Sequence, residues 1–172
     1  MPIETFHGAP AGSTFTRFDL SRGGQAHEER HANGALGAWT IGRRGLYVAA
    51  RFGGRILRLS LDDSAVYSMP SGDLAALARA ATEAAEMSGL EDRKQAEVEF
   101  HARHREELLA SGYKVIHVVD APRFPQQYIV MDPDAVLVME ELASGEVERL
   151  LAPETAEPAG EVDAIDDEDP SP

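Results

Sequence analysis

The 172-residue sequence predicts an α+β fold, and three observations predict it. Short apolar runs of strand character lie towards both ends of the chain, and two amphipathic helical segments follow each other between them. Turn residues separate the runs. Helices gathered together, instead of alternating singly with strands, favour antiparallel or mixed sheets over a doubly wound parallel one. With 43% apolar residues the chain can pack one domain and still carry an appendage.

The elements follow in order. Ile3 to His7 reads as a strand stopped by Gly8-Ala9-Pro10. Residues 11–34, rich in Gly, Ser, Thr, His and Arg, read as a long loop pinned to the core by Phe15, Phe18 and Leu20. Residues 36–41 form a second strand. Arg43 to Phe52 places Leu46, Ala49 and Ala50 on one face, a short helix ended by Gly53-Gly54. Ile56, Leu57, Leu59 and Leu61 make a strand. Asp73 is the expected N-cap of a helix with Leu74, Leu77, Ala78, Ala81 and Ala85 inward and Gly89 as its stop. A second, more charged surface helix runs from about Asp92 to Ala110, before Gly112. Tyr113 to Val119, Gln127 to Met131 and Ala135 to Met139 are β-type runs, the last two joined by a turn at Asp132-Pro133-Asp134.

Charge divides the chain. The net charge is −14, yet residues 1–60 carry eight Arg against four acids. Residues 151–172 carry eight acids and no Lys or Arg. We therefore expect a domain over residues 1–150 and an acidic, Pro-containing tail over 151–172 that is disordered or loosely laid on the surface. The acidity argues against nucleic acid as a main partner. A local patch of Arg22, Arg43, Arg44, Arg51, Arg55 and Arg58 could serve one pyrophosphate. No apolar run approaches the roughly 18 residues of a membrane span, so a soluble cytoplasmic protein with no membrane partner is expected. With no cysteine, disulfides and thiolate metal sites are excluded.

Three separated stretches carry the functional reading: Phe6-His7-Gly8-Ala9, Leu36-Gly37-Ala38-Trp39-Thr40 and Gln127-Tyr128-Ile129-Val130-Met131-Asp132. In this order they resemble the three-part site of the ADP-ribosyltransferase superfamily, including its poly-ADP-ribose-polymerase-like branch. Phe18-Asp19 looks like the Phe-Asp pair that follows His-Gly in phage and bacterial polyvalent members. The resemblance implies two small mixed or antiparallel sheets that form a split cleft for NAD, with flanking helices. It implies that His7 donates a hydrogen bond to a ribose hydroxyl and that Gly8 lets the backbone approach the nicotinamide carboxamide. Trp39, beside Thr40, would stack on nicotinamide, with Tyr47 or Phe52 on the other side of the ring. Gln127 would take the place where the family reads Glu-Tyr-Ile-Val-x-Asp.

The implied activity is mono-ADP-ribosylation of a protein or other macromolecular acceptor, with NAD as substrate and cleavage of the nicotinamide–ribose bond. Catalysis would fall to Gln127 and His7. A glutamine can hydrogen-bond a hydroxyl, but it has no negative charge to stabilise an oxocarbenium-like sugar and is a poor general base. The alternative is therefore a catalytically inactive scaffold of the same family that binds partners.

Other chemistries have little support. His101 and His104 with Glu97 and Glu99, and His27, Glu28 and His31, lack the His-Glu-x-x-His pattern and read as solvated polar faces, so no metal site is expected. No Lys-Ser/Thr follows a correctly spaced Gly, and no Gly-x-Ser-x-Gly supports an acyl-transfer triad.

Overall fold

The computed structural model describes residues 1–14, 16–20, 32–89, 92–122 and 126–152, without the side chain of Phe52. The expected anchor Phe15, Arg22, the group of His27, Glu28 and His31, and the acidic tail beyond Ala152 lie outside the described residues.

The α+β class is observed. The strands are β1 (Ile3–Ala9), β2 (Ala38–Ile41), β3 (Arg55–Leu61), β4 (Val66–Pro70), β5 (Val115–Val119), β6 (Gln127–Val130) and β7 (Val136–Glu141). The helices are α1 (Leu46–Phe52), α2 (Ser71–Met87), α3 (Arg93–Ala110) and α4 (Ser144–Leu151), with short 3₁₀ turns at Ala32–Leu36, Arg43–Gly45 and Pro133–Ala135.

All seven strands join one mixed sheet in the order β4-β5-β6-β2-β1-β3-β7, where two small sheets were expected. Only β4 and β5 are parallel, as the intervening α2 and α3 allow. The reason for one sheet lies at its centre. β1 pairs along its whole length with β3, from Ile3↔Leu61 to Ala9↔Arg55, and β2 pairs along its length with β6. Between β1 and β2 the register holds a single pair, Phe6↔Ile41. That pair joins β4-β5-β6-β2 to β1-β3-β7 across a narrow seam.

Packing crosses that division on one face of the sheet and largely follows it on the other. The sheet curls, so one face gathers Leu57, Leu59 and Leu61 with Val115, Tyr128 and Val130 around Phe18 and Ala135. A second cluster packs Leu36 and Leu108 against Ile116, Val118, Ile129 and Met131, with Leu74 and Leu77 of α2 alongside. A third packs Leu46 and Ala49 of α1, with Val147 and Leu150 of α4, against Phe6, Ile41 and Ile56. Each half of the sheet thus has its own helical cover.

Local signals explain most boundaries. Asp92 caps α3 by accepting from the Gln95 amide at 3.0 Å. Gly89 and Gly112, both at positive φ, follow α2 and α3. Asp132 accepts from the Asp134 amide at 2.9 Å and turns the chain between β6 and β7. The expected cap at Asp73 is corrected. α2 begins at Ser71, whose hydroxyl donates to the Asp120 carbonyl, and Asp73 lies in the first turn, where its charge suits the helix dipole.

Candidate functional site

The fold places the three motif strands side by side: β6, β2 and β1 are consecutive in the sheet. Phe6, Ile41 and Gln127 form one cross-strand row, because Phe6 pairs with Ile41 and Ile41 with Gln127. Val118 of β5 continues that row.

Alternation along strands then sorts the candidate residues by face. Gln127, Ile41 and Trp39 share one face, and Trp39 packs half-buried against the Leu36–Leu108–Ile129 cluster. His7 and Thr40 belong to the other. Thr40 is buried, with its hydroxyl 3.5 Å from the Tyr128 carbonyl. Trp39 and Thr40 therefore do not line the same surface. His7 and Gln127 stand on opposite faces, with β2 between their strands.

His7 spans that seam. Its Nδ1 is 2.7 Å from the Trp39 carbonyl oxygen, and its ring meets Phe18 edge-on at 5.0 Å. A carbonyl can only accept, so Nδ1 donates there, and in the neutral ring Nε2 is the acceptor. A neutral His7 would thus accept from a ribose hydroxyl, where the resemblance implied donation.

Gly8 has a packing reason to be glycine. A Cβ at this position would lie 2.1 Å from the Ala49 carbonyl oxygen of α1. The space expected for a carboxamide is filled by helix backbone. Gly37 is constrained in the same manner, with φ +155° and a would-be Cβ 2.2 Å from the Val130 carbonyl oxygen. Tyr47 lies on the outward side of α1, 45% exposed, with the Arg51 guanidinium 6.0 Å from its ring centre. The Phe52 side chain lies outside the described residues.

The sequence reading missed a polar row on the His7 face. Thr40 pairs with Tyr128, and Tyr128 with His117, on three adjacent strands. The His117 and Tyr128 rings stack at 4.5 Å and 12°. Burial pushes the His117 imidazole below its usual range and the Tyr128 phenol above it, so both are neutral near pH 7. The signal was present in the sequence: His117 is the one polar residue in Val115-Ile116-His117-Val118-Val119. Beside the row, a cleft of about 550 Å³ opens between His117, residues 118–122 and Gln126. Gln126 itself has φ 61°, and its carbonyl accepts from the Gly42 amide at 2.7 Å.

The expected arginine patch is divided. Arg55 bonds Glu141 at 2.7 Å, which holds the Glu141 carboxyl below its ordinary range. Arg58 is shared among Glu4, Glu140 and Glu146. Arg43, Arg44 and Arg51 remain exposed around α1. One of the groups read as solvated is corrected as well: His101 is 2% exposed, on the inward side of α3. Compared with family models, curated proteins and solved structures, the chain matches none.

Proposed function

We propose that the chain is an NAD-dependent mono-ADP-ribosyltransferase that binds NAD at the β1–β2 seam and modifies a macromolecular acceptor. The observation that supports this reading most is the adjacency of β6, β2 and β1, divided after a single backbone pair. Three stretches far apart in sequence meet at the one line where the sheet could part into a two-sheet cleft. His7 would hold a ribose hydroxyl there, Trp39 would stack on the nicotinamide, and Gln127 would face the bond that breaks.

A specific observation favours a second reading, in which the site binds without turnover. Gln127 pairs with Ile41 and Val118, an amide between two aliphatic residues where the resemblance implies a carboxylate. Calorimetry with NAD, followed by labelled NAD in cell lysate, separates the readings. Binding with label transfer supports the transferase, and binding without transfer or nicotinamide release supports the inert scaffold. No binding, either by the whole chain or by a variant ending at Ala152, sinks both.

A further inference from the structure

Among the described residues, Arg105 of α3 forms no ion pair, and its Nε is buried with no hydrogen-bond partner. The helix itself offers none. At i±3 and i±4 stand Ala102, Leu108, His101 and Leu109, and the adjacent Glu106 and Glu107 point to other sides of α3. Arg55 and Arg58, by contrast, are both matched with glutamates. A buried guanidinium donor without an acceptor costs the fold stability and leaves that donor available to a ligand.

Arg105 lines a pocket of about 420 Å³, at the small end of the range for ligand sites. Local structure explains its walls. Leu109 stands one turn after Arg105 on the same side of α3, and the chain leaves the helix through Gly112, at φ 89°, to enter β5. The Lys114 carbonyl accepts from the amides of Met131 and Asp132, at 2.9 and 3.2 Å, which draws the end of β6 against the start of β5. Lys114 Nζ thereby lies 3.5 Å from an Asp132 carboxylate oxygen. Leu20, Leu109, Met131 and Pro133 add apolar wall beside these charges. Two cations against one carboxylate leave a single positive charge in excess. A guanidinium fork with one spare charge suits a monoanionic carboxylate, and the apolar wall suits a hydrocarbon body behind it. A dianion would meet the Asp132 charge, and an inorganic anion would leave the apolar wall uncovered.

We propose that this pocket, between the C-terminal half of α3 and the β5 and β6 ends, binds a small monocarboxylate with an apolar body. Arg105 grips the carboxylate bidentately, Lys114 adds charge while Asp132 holds it in place, and the apolar wall covers the body of the ligand. The site is separate from the β1–β2 seam. Met131 lies four residues beyond Gln127, roughly 13 Å along an extended chain at about 3.3 Å per residue, so the proposal does not rest on the NAD reading.

Titration of the full chain with hexanoate and with phenylacetate, followed by backbone resonances, tests this. Saturable shifts are expected over residues 105–114 and at Met131 and Asp132, with a dissociation constant on the order of 1 mM, as for small fragments. Hexanamide, phenylacetamide and inorganic phosphate should bind about tenfold more weakly or worse, since each lacks either the charge or the apolar body. Arg105→Met keeps the aliphatic stem and removes the charge. It should lose about tenfold or more in affinity for the acids, and Arg105→Lys should restore part of it. The urea midpoint of Arg105→Met should stay at or above that of wild type, because no ion pair is lost. A tripeptide ending in leucine presents the same carboxylate on a chain. Tighter binding of the tripeptide than of hexanoate supports the site with a chain terminus as its ligand, and the reverse supports it with a free acid. No saturable shift at about ten times the expected constant, carboxamides that bind as well as the acids, or full affinity in Arg105→Met each overturns the proposal. So does a urea midpoint that falls in Arg105→Met, which would give Arg105 a partner within the fold.

Discussion

His7 Nδ1 lies 2.7 Å from the Trp39 carbonyl oxygen, across the line where backbone pairing between β1 and β2 gives out. A side chain thus supplies a cross-strand hydrogen bond next to the one remaining pair, Phe6↔Ile41. His7→Ala is expected to destabilise the fold by about 0.5–1.5 kcal/mol, the net worth of such a bond. On the proposed function it also abolishes NAD binding. Urea denaturation and calorimetry on the same preparation separate the two effects. A variant that binds NAD as wild type does removes His7 from the site.

Gly8 separates a packing role from a ligand role. Its missing Cβ would sit 2.1 Å from the Ala49 carbonyl oxygen, so Gly8→Ala forces α1 away from β1. Overpacking of this kind costs about 1–3 kcal/mol. The loss should appear in thermal denaturation without any ligand. Gly72→Ala is the control, because a Cβ there meets nothing within 4 Å and Gly72 lies in α2. A Gly8→Ala protein as stable as wild type would show that α1 does not press on this strand.

Gln127 decides between turnover and binding. If NAD binds and the site lacks only a charge opposite the developing cation, Gln127→Glu should raise transfer or nicotinamide release by roughly a hundred- to thousandfold, the usual worth of one placed electrostatic group. If wild type already turns over, Gln127→Ala should lower the rate while leaving NAD affinity close to unchanged. Rates equal in wild type, Gln127→Glu and Gln127→Ala would place the chemistry elsewhere.

Strong local chemistry made much of this fold legible. Gly89 as a stop, the end of α3 before Gly112 and the Asp132-Pro133-Asp134 turn act through neighbouring backbone and read directly from sequence. β4 and α4 were missed. Val66–Pro70 alternates weakly and becomes a strand by pairing with β5, while Ser144–Leu151 becomes a helix cover by packing Val147 and Leu150 on the α1 side. Both owe their structure to partners distant in the chain, which no window of sequence contains. The site was legible as strands but not as faces. Adjacent residues such as Trp39 and Thr40 look like one motif, yet a strand turns them to opposite sides. The pairing of Tyr128 with His117 follows from β5–β6 register, again a long-range property.

Burial of His101 and His117 gives the fold an acid limit. His101 lies on the inward face of α3, its Nδ1 without a hydrogen-bond partner, with Glu97 and His104 as the nearest charges. Burial lowers its pKa from 6.5, outweighing the opposing pull of Glu97, and burial alone lowers that of His117. A histidine with a depressed folded pKa binds more protons when unfolded, so stability rises with pH through this window. The contribution is present in full above pH 6.5, the unfolded value, and is lost progressively as the pH falls towards the folded pKa. The urea midpoint should therefore drop between neutral pH and about pH 5. His101→Leu, which fills the inward site with an apolar side chain that does not titrate, should flatten part of that drop. Adding His117→Leu should flatten more of it. A midpoint that falls equally in wild type and in the double variant would show that neither histidine carries the acid sensitivity.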